Sequence, residues 1–136
     1  MQAQTVRKPA GTTSLPNASA STERPLDLVH LSRQTLGDRV LEIELLELFD
    51  RQAGQIMARL DSALCSSDRK WRHDLSHTLK GSARAIGAVK VALAAQAYED
   101  ALAVQLTDGE LACYVAEMKK VVDEVQLAIR DLLTDA

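Results

Sequence analysis

Hydrophobic and polar positions divide the chain into a polar start and a longer region with helical periodicity. Pro9, Pro16 and Pro25 are the chain's three prolines, and they lie among Ser, Thr, Ala and Asn without an apolar repeat. This composition predicts a disordered tail or linker over residues 1–25. Residues 26–136 contain no proline and are rich in Leu, Ala, Glu, Arg and Gln, which favour helix. We therefore expect an all-α domain over residues 26–136.

Apolar residues three and four positions apart predict five helices in this domain. Their expected bounds are about 26–36, 38–65, 68–87, 88–106, and 109 to near the C-terminus. Gly37 is expected to end the first helix in a left-handed conformation, and Asp38 to cap the second. Four long helices with short connections predict an antiparallel up-and-down four-helix bundle, with the short N-terminal helix covering one end.

The same spacing predicts which side chains form the core. On the second helix they are Leu41, Leu45, Leu48, Phe49, Ile56, Met57, Leu60 and Leu64. On the third they are Trp71, Leu75, Leu79 and Ile86, with Thr78 or Ser82, and on the last they are Leu111, Val115, Met118, Val122, Val125 and Ile129. Two cysteines cannot build a disulfide scaffold or a four-thiolate zinc site, so Cys65 and Cys113 are expected to be reduced core residues.

Composition narrows the class of protein. A chain of 136 residues has room for one domain. An aromatic content of 3% disfavours a β-sandwich and a base-stacking platform, and a net charge of −3 argues against a general nucleic-acid binder. No apolar stretch is long enough for a membrane span, and the polar start lacks the apolar stretch of a secretion signal. We expect a cytoplasmic monomer that binds neither nucleic acid nor membrane.

Residues 73–87, with the sequence HDLSHTLKGSARAIG, carry the candidate chemistry. Helical positions three and four apart share a face. On the third predicted helix, this spacing predicts a solvent-facing side that consists of Lys70, His73, His77, Lys80 and Arg84. A mid-helix glycine costs about 0.5–1 kcal/mol relative to alanine. Because Gly81 lies one turn after His77, we infer that something approaches the imidazole closely.

Charge around this segment indicates an anionic partner or group. Between Arg69 and Tyr98, six basic residues and one acidic residue give a local charge of +5. We call the six the basic band: Arg69, Lys70, Arg72, Lys80, Arg84 and Lys90. A free imidazole has a pKa near 6.5, so its neutral form can attack phosphorus. Lys80, one turn after His77, is placed to stabilise the charge of a transferring phosphoryl group.

Simpler interpretations compete with phosphoryl chemistry at this face. A histidine on a helix surface is ordinarily only solvated, a basic run is usually a solvated face, and Gly81 could permit close helix packing. His73 and His77 have the spacing of two metal ligands on one helix. However, a third ligand is not obvious, and the surrounding cations repel a dication. We therefore predict no metal site.

The motif His77-Thr-Leu-Lys80-Gly81-Ser82-Ala83-Arg84 resembles the signature of histidine-containing phosphotransfer (HPt) domains. The resemblance extends to Leu26-Asp27-Leu28, Leu45-Leu46-Glu47-Leu48-Phe49 and Ile86-Gly87-Ala88, and it covers residues 25–131. It implies that His77 is the phosphoacceptor through its outer ring nitrogen. It also implies that Lys80 stabilises the phosphoryl group and that Gly81 leaves room for the partner.

The resemblance further implies a polar side chain on the next helix that hydrogen-bonds the inner imidazole nitrogen. Gln96 and Glu99 lie three positions apart and share a face, so both are candidates, and the family spacing favours Glu99. Around the imidazole, the predicted partner-binding residues are Lys70, His73, Ser82 and Arg84.

By this resemblance the chain is a phosphorelay intermediate. It would accept a phosphoryl group from a phospho-aspartate of one receiver domain and pass it to another. The implied partners are response-regulator receiver domains and a hybrid sensor kinase, with Mg²⁺ on the receiver and no cofactor on this chain. The sequence contains no Gly-x-x-x-x-Gly-Lys-[Ser/Thr] loop, so we expect a phosphocarrier rather than an autonomous kinase. The alternatives are a receiver-binding adaptor without phosphotransfer and a metal-binding bundle.

Overall fold

Five α-helices form the computed structural model, which describes residues 24–63 and 68–135. They are α1 (Leu28–Thr35), α2 (Arg39–Ala63), α3 (Arg69–Ile86), α4 (Val89–Leu102) and α5 (Asp108–Asp135). The predicted all-α class and the five-helix order are therefore confirmed. Over the described ranges, no helix combines the length and the apolar character that a membrane span requires.

Short polar side chains fix where the helices begin. Asp27, Asp38 and Asp68 each accept a hydrogen bond from the backbone N–H three residues later, at 3.1, 3.2 and 2.9 Å. At the start of α5, Thr107 N donates to Glu110 Oε1 at 2.9 Å, and Glu110 N donates to Thr107 Oγ1 at 3.1 Å. This reciprocal pair is a capping box, and its hydrogen bonds lower the pKa of Glu110. The predicted capping by Asp38 is confirmed.

The four long helices form a closed ring of neighbours, in which α2 packs on α3, α3 on α4, α4 on α5, and α5 on α2. The α3–α4 pair packs most extensively because α4 presents small residues to the interior, among them Ala92, Ala95 and Ala101. The short helix α1 packs on α2 and α3. This arrangement is the predicted four-helix bundle with a short N-terminal helix.

The turn between α3 and α4 is fixed by its contact with the start of α1. Gly87 ends α3 with a left-handed φ of 81°, and its carbonyl accepts a hydrogen bond from Asp27 N at 2.9 Å. A Cβ at position 87 would lie 2.7 Å from the Asp27 carbonyl oxygen. Both the conformation and the close approach therefore require glycine here. At the other end of α1, Gly37 has a φ of 78°, as predicted, and Leu36 is also left-handed at 55°.

Most predicted core residues are buried. They are Phe49, Ile56, Met57, Leu60, Leu75, Leu79, Ile86, Leu111, Val115, Met118, Val122, Val125 and Ile129. Leu45 is half-buried against this core. Two further predicted core residues, Leu64 and Cys65, lie outside the described residues, as do most of the predicted tail over 1–25 and positions 66–67.

The predicted core positions Leu41 and Leu48 on α2 are wrong, because both side chains are exposed. The buried stripe instead includes Leu46 and Phe49. Leu48 is one residue from Phe49 and so is turned about 100° around the helix, and Leu41 is about 140° from Leu46. Their leucine side chains alone did not reveal which of several apolar positions faces inward.

The predicted rotation of α3 was also partly wrong. Trp71 is exposed, whereas its neighbour Arg72 is 1% exposed. Residues four apart advance about 40° beyond a full turn, so Trp71, eight residues before Leu79, lies about 80° away from it. The buried stripe consequently passes through Arg72, Ser76 and Lys80, polar positions that the apolar pattern could not identify.

Two predictions near the C-terminal half also required correction. Cys113 is exposed rather than in the core, because it lies two positions from the buried Leu111 and Val115 and therefore on the opposite face. Helix α4 ends at Leu102 rather than near residue 106. Beyond this end, the Arg69 guanidinium connects the helix to the following turn by donating to the carbonyls of Leu102 and Leu106, at 3.0 and 3.3 Å.

Replacement of Leu79 by Ala should lower the free energy of unfolding by about 2–5 kcal/mol, since the completely buried side chain would leave a cavity. Chemical denaturation monitored by circular dichroism measures this change. Leu48→Ala on the exposed face of α2 is the matched control and should cost less than about 1 kcal/mol. Equal losses in the two variants would contradict the orientation of α3.

Candidate functional site

His77 stands on the surface of α3 beside a buried carboxylate from α4. Its side chain is 64% exposed, and its Nδ1 lies 3.3 Å from Glu99 Oε1. Glu99 is only 9% exposed, and its Oε1 atom has no aligned hydrogen-bond donor among the described residues. The buried oxygen can therefore accept a hydrogen bond from Nδ1 after a small reorientation of the ring. Of the two candidates from the sequence, Glu99 is the residue that faces the imidazole.

Lys80 lies under this site rather than on the solvent side, so its predicted exposure is wrong. The residue is 7% exposed, and its ammonium donates to Glu99 Oε2 at 3.1 Å and to Gln96 Oε1 at 2.8 Å. A buried carboxylate is stable as an anion only with a partner of this kind. The long side chain reaches from α3 across to its acceptors on α4. Spacing within α3 contains no information about those acceptors, so it placed Lys80 with the exposed residues.

Gln96, the second candidate, holds Lys80 rather than the imidazole. Its Oε1 accepts from Lys80, while its Nε2 donates to Asp100 Oδ1 at 2.9 Å. The amide thus connects the buried ammonium to the exposed end of the site. Both candidates from α4 therefore belong to one hydrogen-bonded group with Lys80, although the sequence offered them as alternatives.

His73 lies one turn before His77 on the same face. The two rings are stacked, with centroids 5.8 Å apart and planes 12° from parallel. His73 Nε2 is 3.6 Å from Glu99 Oε2, and its Nδ1 is 3.6 Å from Asp74 Oδ1. The ammonium of Lys70 donates to Asp74 at 2.8 Å, which lowers the pKa of Asp74 and raises that of Lys70.

Gly81 gives open space next to the imidazole. A Cβ at this position would have no heavy-atom neighbour within 4 Å, so packing inside the protein does not require glycine. Helical geometry does not require it either, because its φ is not in the left-handed region. The structure therefore does not support close helix packing as the reason for Gly81. The destabilising effect of this glycine on the helix points to a requirement from outside the chain.

Two other predicted partner-binding residues differ in their surroundings. Ser82 is half-buried, and its hydroxyl donates to Gln52 Oε1 on α2 at 2.7 Å. Arg84 is exposed. Ser82 therefore joins α3 to α2 while Arg84 is available at the surface.

The exposed part of the basic band is smaller than the sequence predicted. Arg72 is almost completely buried beside Tyr98, and Asp108 lies 3.7 Å from its guanidinium. Burial raises the pKa of the Tyr98 hydroxyl, and the positive charge of Arg72 opposes that rise. With Lys80 also buried, two of the six cations stabilise the α3–α4 interface rather than a surface potential.

Ser76 is a further polar residue of the site that the sequence did not single out. It is completely buried, and its hydroxyl donates to the Ala95 carbonyl on α4 at 2.9 Å. Arg72, Ser76 and Lys80 are spaced four apart and form one polar stripe facing α4. That spacing shows that the three polar residues share a face, but it does not show that this face is buried.

A metal site built on His73 and His77 would need a third ligand close to both rings. Within residues 24–63 and 68–135, no group of three or more His, Cys, Asp or Glu side chains is placed to hold a metal ion. Lys80 is bonded to the one carboxylate that lies near both His73 and His77. The third ligand that a two-histidine site would need is therefore already paired with an ammonium group.

Solved structures share this fold. The crystal structure of the HPt domain from an Hpt sensor hybrid histidine kinase of Shewanella superposes with a TM-score of 0.71 at 20% sequence identity, covering 85% of this chain and 97% of that one. A rice protein assigned as a histidine-containing phosphotransfer protein superposes with a TM-score of 0.68 at 16% identity, covering 86% and 87%. No match was found among curated proteins.

The sequence itself identifies the family. The sequence profile of the Hpt domain matches residues 44–135, which include α3, α4 and every residue of the His77 site described above. Hpt domains carry out histidine phosphotransfer in phosphorelays, where they interact with receiver domains. The profile extends over most of the chain, and the resemblance first noticed at His77, Lys80 and Gly81 is thereby confirmed: this chain belongs to the Hpt domain family.

Proposed function

We propose that the chain is a phosphorelay intermediate in which His77 carries the phosphoryl group. It accepts that group from a phospho-aspartate of one receiver domain and transfers it to an aspartate of another. The observation that carries this proposal is an imidazole with 64% of its side chain exposed whose Nδ1 faces a buried carboxylate at 3.3 Å. Nε2 is then the nitrogen on the side of the ring away from Glu99.

The orientation of His77 supports attack through Nε2. An imidazole whose Nδ1 carries the proton presents a lone pair on Nε2. That lone pair attacks phosphorus, the bond between phosphorus and the aspartyl oxygen breaks, and the aspartate leaves as a carboxylate. The proton stays on Nδ1, where Glu99 Oε1 accepts its hydrogen bond. In the reverse direction the aspartate of the second receiver attacks phosphorus, and the electron pair of the P–N bond returns to Nε2.

Lys80 supports the same chemistry through its remaining hydrogen-bonding capacity. An ammonium group has three N–H donors, and two of them are directed at Gln96 and Glu99. We propose that the third donates to an oxygen of the phosphoryl group, where negative charge accumulates during transfer. Because its two other bonds fix the ammonium before the partner arrives, little reorganisation is needed at the moment of reaction.

The partner is expected to supply the rest of the apparatus. We propose that Mg²⁺ binds on the receiver domain and that a sensor kinase, not this chain, introduces phosphate from ATP. The open space above Gly81 admits the receiver, and the exposed Arg84 presents positive charge to its acidic pocket, whereas the charge of Lys70 is offset by Asp74. Because only part of the basic band is exposed, we expect docking to be weak and sensitive to salt.

Replacement of His77 by Gln should abolish phosphorylation of the chain while changing the free energy of unfolding by less than about 0.5 kcal/mol, because the side chain is exposed. The measurement is incubation with a ³²P-labelled phospho-receiver, followed by assay of acid-labile, base-stable phosphate on the chain. Lys119→Ala on α5 is the control and should be labelled normally. Label that persists in His77→Gln, or a wild-type chain that binds receivers and is never labelled, would overturn the proposal.

Replacement of Lys80 by Ala should affect both transfer and stability. Glu99 would lose its ammonium partner while buried, so the free energy of unfolding should fall by about 1–3 kcal/mol. Transfer should slow by about 10²-fold, as expected when one fixed donor to the reacting group is removed.

A second variant separates these two effects. Lys80→Ala combined with Glu99→Gln removes the unpaired charge and should recover most of the lost stability. Its transfer rate should remain about tenfold below that of Glu99→Gln alone, measured with the same phospho-receiver. Equal rates in these two variants would show that Lys80 acts only by stabilising Glu99.

Substitutions at Gly81 separate the effect of this glycine on partner access from its effect on helix stability. Gly81→Ala should raise the free energy of unfolding by about 0.5–1 kcal/mol, because a Cβ fits there without a contact. Gly81→Leu should also fold, yet it should reduce the rate of transfer from a phospho-receiver strongly. Equilibrium denaturation curves measure the free energy of unfolding, and labelling time courses measure the rate of transfer. Undiminished transfer in Gly81→Leu would show that the glycine does not serve partner approach.

A further inference from the structure

We propose that His73 is a positioning residue for His77: its ring supports one face of the phosphoacceptor imidazole and keeps Nδ1 of His77 directed at Glu99. This inference rests on the proposed function, because it concerns the orientation from which Nε2 of His77 reacts. The chemistry described so far makes no use of His73.

Stacking is the first observation. The rings of His73 and His77 are separated by 5.8 Å between centroids and are inclined by only 12°. An offset parallel arrangement at this distance is a favourable one for aromatic side chains. His77 is otherwise a mostly exposed side chain whose terminal torsion is broad and roughly two-fold. Rotation of the His77 ring out of the plane parallel to His73 would break the stacking and take Nδ1 away from Glu99, so stacking maintains the plane in which Nδ1 faces the carboxylate.

The shared carboxylate is the second observation. Glu99 Oε1 faces His77 Nδ1 at 3.3 Å, while Oε2 lies 3.6 Å from His73 Nε2 and accepts from Lys80 at 3.1 Å. The two histidines therefore lie next to different oxygens of the same buried carboxylate, that of Glu99. The His73 ring therefore lies directly beside Oε2 of a carboxylate that is only 9% exposed.

The surroundings of His73 favour a fixed ring over a freely solvated one. On its own helix, Asp74 Oδ1 lies 3.6 Å from Nδ1. The polar groove beside it is lined from α3 by Arg69 and Lys70 and from α4 by Glu99 and Asp100. The side chain is 49% exposed, and its stacked face lies against the ring of His77. Contacts at both nitrogens and on one face restrict its rotation.

The consequence for transfer is a matter of orientation. A nucleophile reacts quickly when it is already held near the geometry of attack, and freedom of the ring reduces the fraction of time spent there. An aromatic pair of this kind corresponds to a factor of about 2–10 in the population of the favoured orientation. We therefore expect loss of the His73 ring to slow transfer by about three- to tenfold, without abolishing it.

The experiment compares His73→Ala and His73→Gln, which remove the ring, with His73→Phe, which keeps a planar ring and removes both nitrogens. Long-range ¹H–¹⁵N correlation spectra report which nitrogen of His77 carries the proton, and His77→Gln assigns those signals. In the wild type and in His73→Phe the Nδ1–H form should dominate. In His73→Ala and His73→Gln the proton should redistribute toward Nε2, and the transfer rate should fall about three- to tenfold.

The outcomes separate this inference from the proposed function. An unchanged His77 tautomer in both ring-removing variants would overturn the role of His73, even if His77 is phosphorylated. A rate that stays low in His73→Phe would also overturn it, because the ring alone should rescue transfer. Conversely, a chain that is never labelled would contradict the phosphorelay proposal, while the tautomer measurement would still decide the effect of His73. Circular dichroism verifies that each variant is folded, and the Gln variant decides if the Ala variant is not.

Discussion

The rest of the site depends on one buried carboxylate. Glu99 is 9% exposed and directed from α4 toward α3, and it is stabilised there by the Lys80 ammonium at 3.1 Å. Desolvation of a lone carboxylate would cost several kcal/mol, so Glu99 and Lys80 must be buried together or not at all. Their pairing fixes the side of α4 that faces α3, and it thereby leaves the second oxygen of Glu99 beneath His77. The constraint that stabilises the helix pair is thus the same one that places a carboxylate oxygen 3.3 Å from the imidazole Nδ1.

A polar stripe extends this constraint along the interface. Arg72, Ser76 and Lys80 follow one another at intervals of four residues on α3, and each is directed at α4 or at the chain that follows it. A purely apolar interface of alanines and leucines would tolerate sliding or rotation, because such contacts are not directional. The hydrogen bond from Ser76 to the Ala95 carbonyl fixes the axial position of the two helices at the level of His77. Gly87 and Asp27 fix the same pair at the turn.

Sequence reasoning succeeded where the physics is local and failed where it is tertiary. The helices, the cap at Asp38 and the left-handed Gly37 follow from short-range rules of propensity and backbone geometry. The motif around His77 was also recognisable, since its residue types and spacing are contiguous. The burial of Lys80 was not predictable from helical spacing, because it depends on an acceptor nineteen positions away on another helix. Likewise, apolar residues such as Trp71 and Leu48 gave no indication that polar neighbours on α3, or Leu46 on α2, occupy the interior instead.

The burial of Lys80 also changes how the charge of the site is understood. The sequence predicts a band of six cations, yet Arg72 and Lys80 are buried and Lys70 is neutralised locally by Asp74. On the proposed function, the positive charge that matters for transfer is therefore not a broad potential but the single ammonium of Lys80, which donates to the carboxylate that faces His77. A fixed charge in a site shielded from water interacts more strongly with a developing phosphoryl charge than several solvated ones do. On the same proposal, selectivity for a phosphorylated partner depends on geometry at His77, and the exposed Arg84 contributes mainly to the rate of encounter.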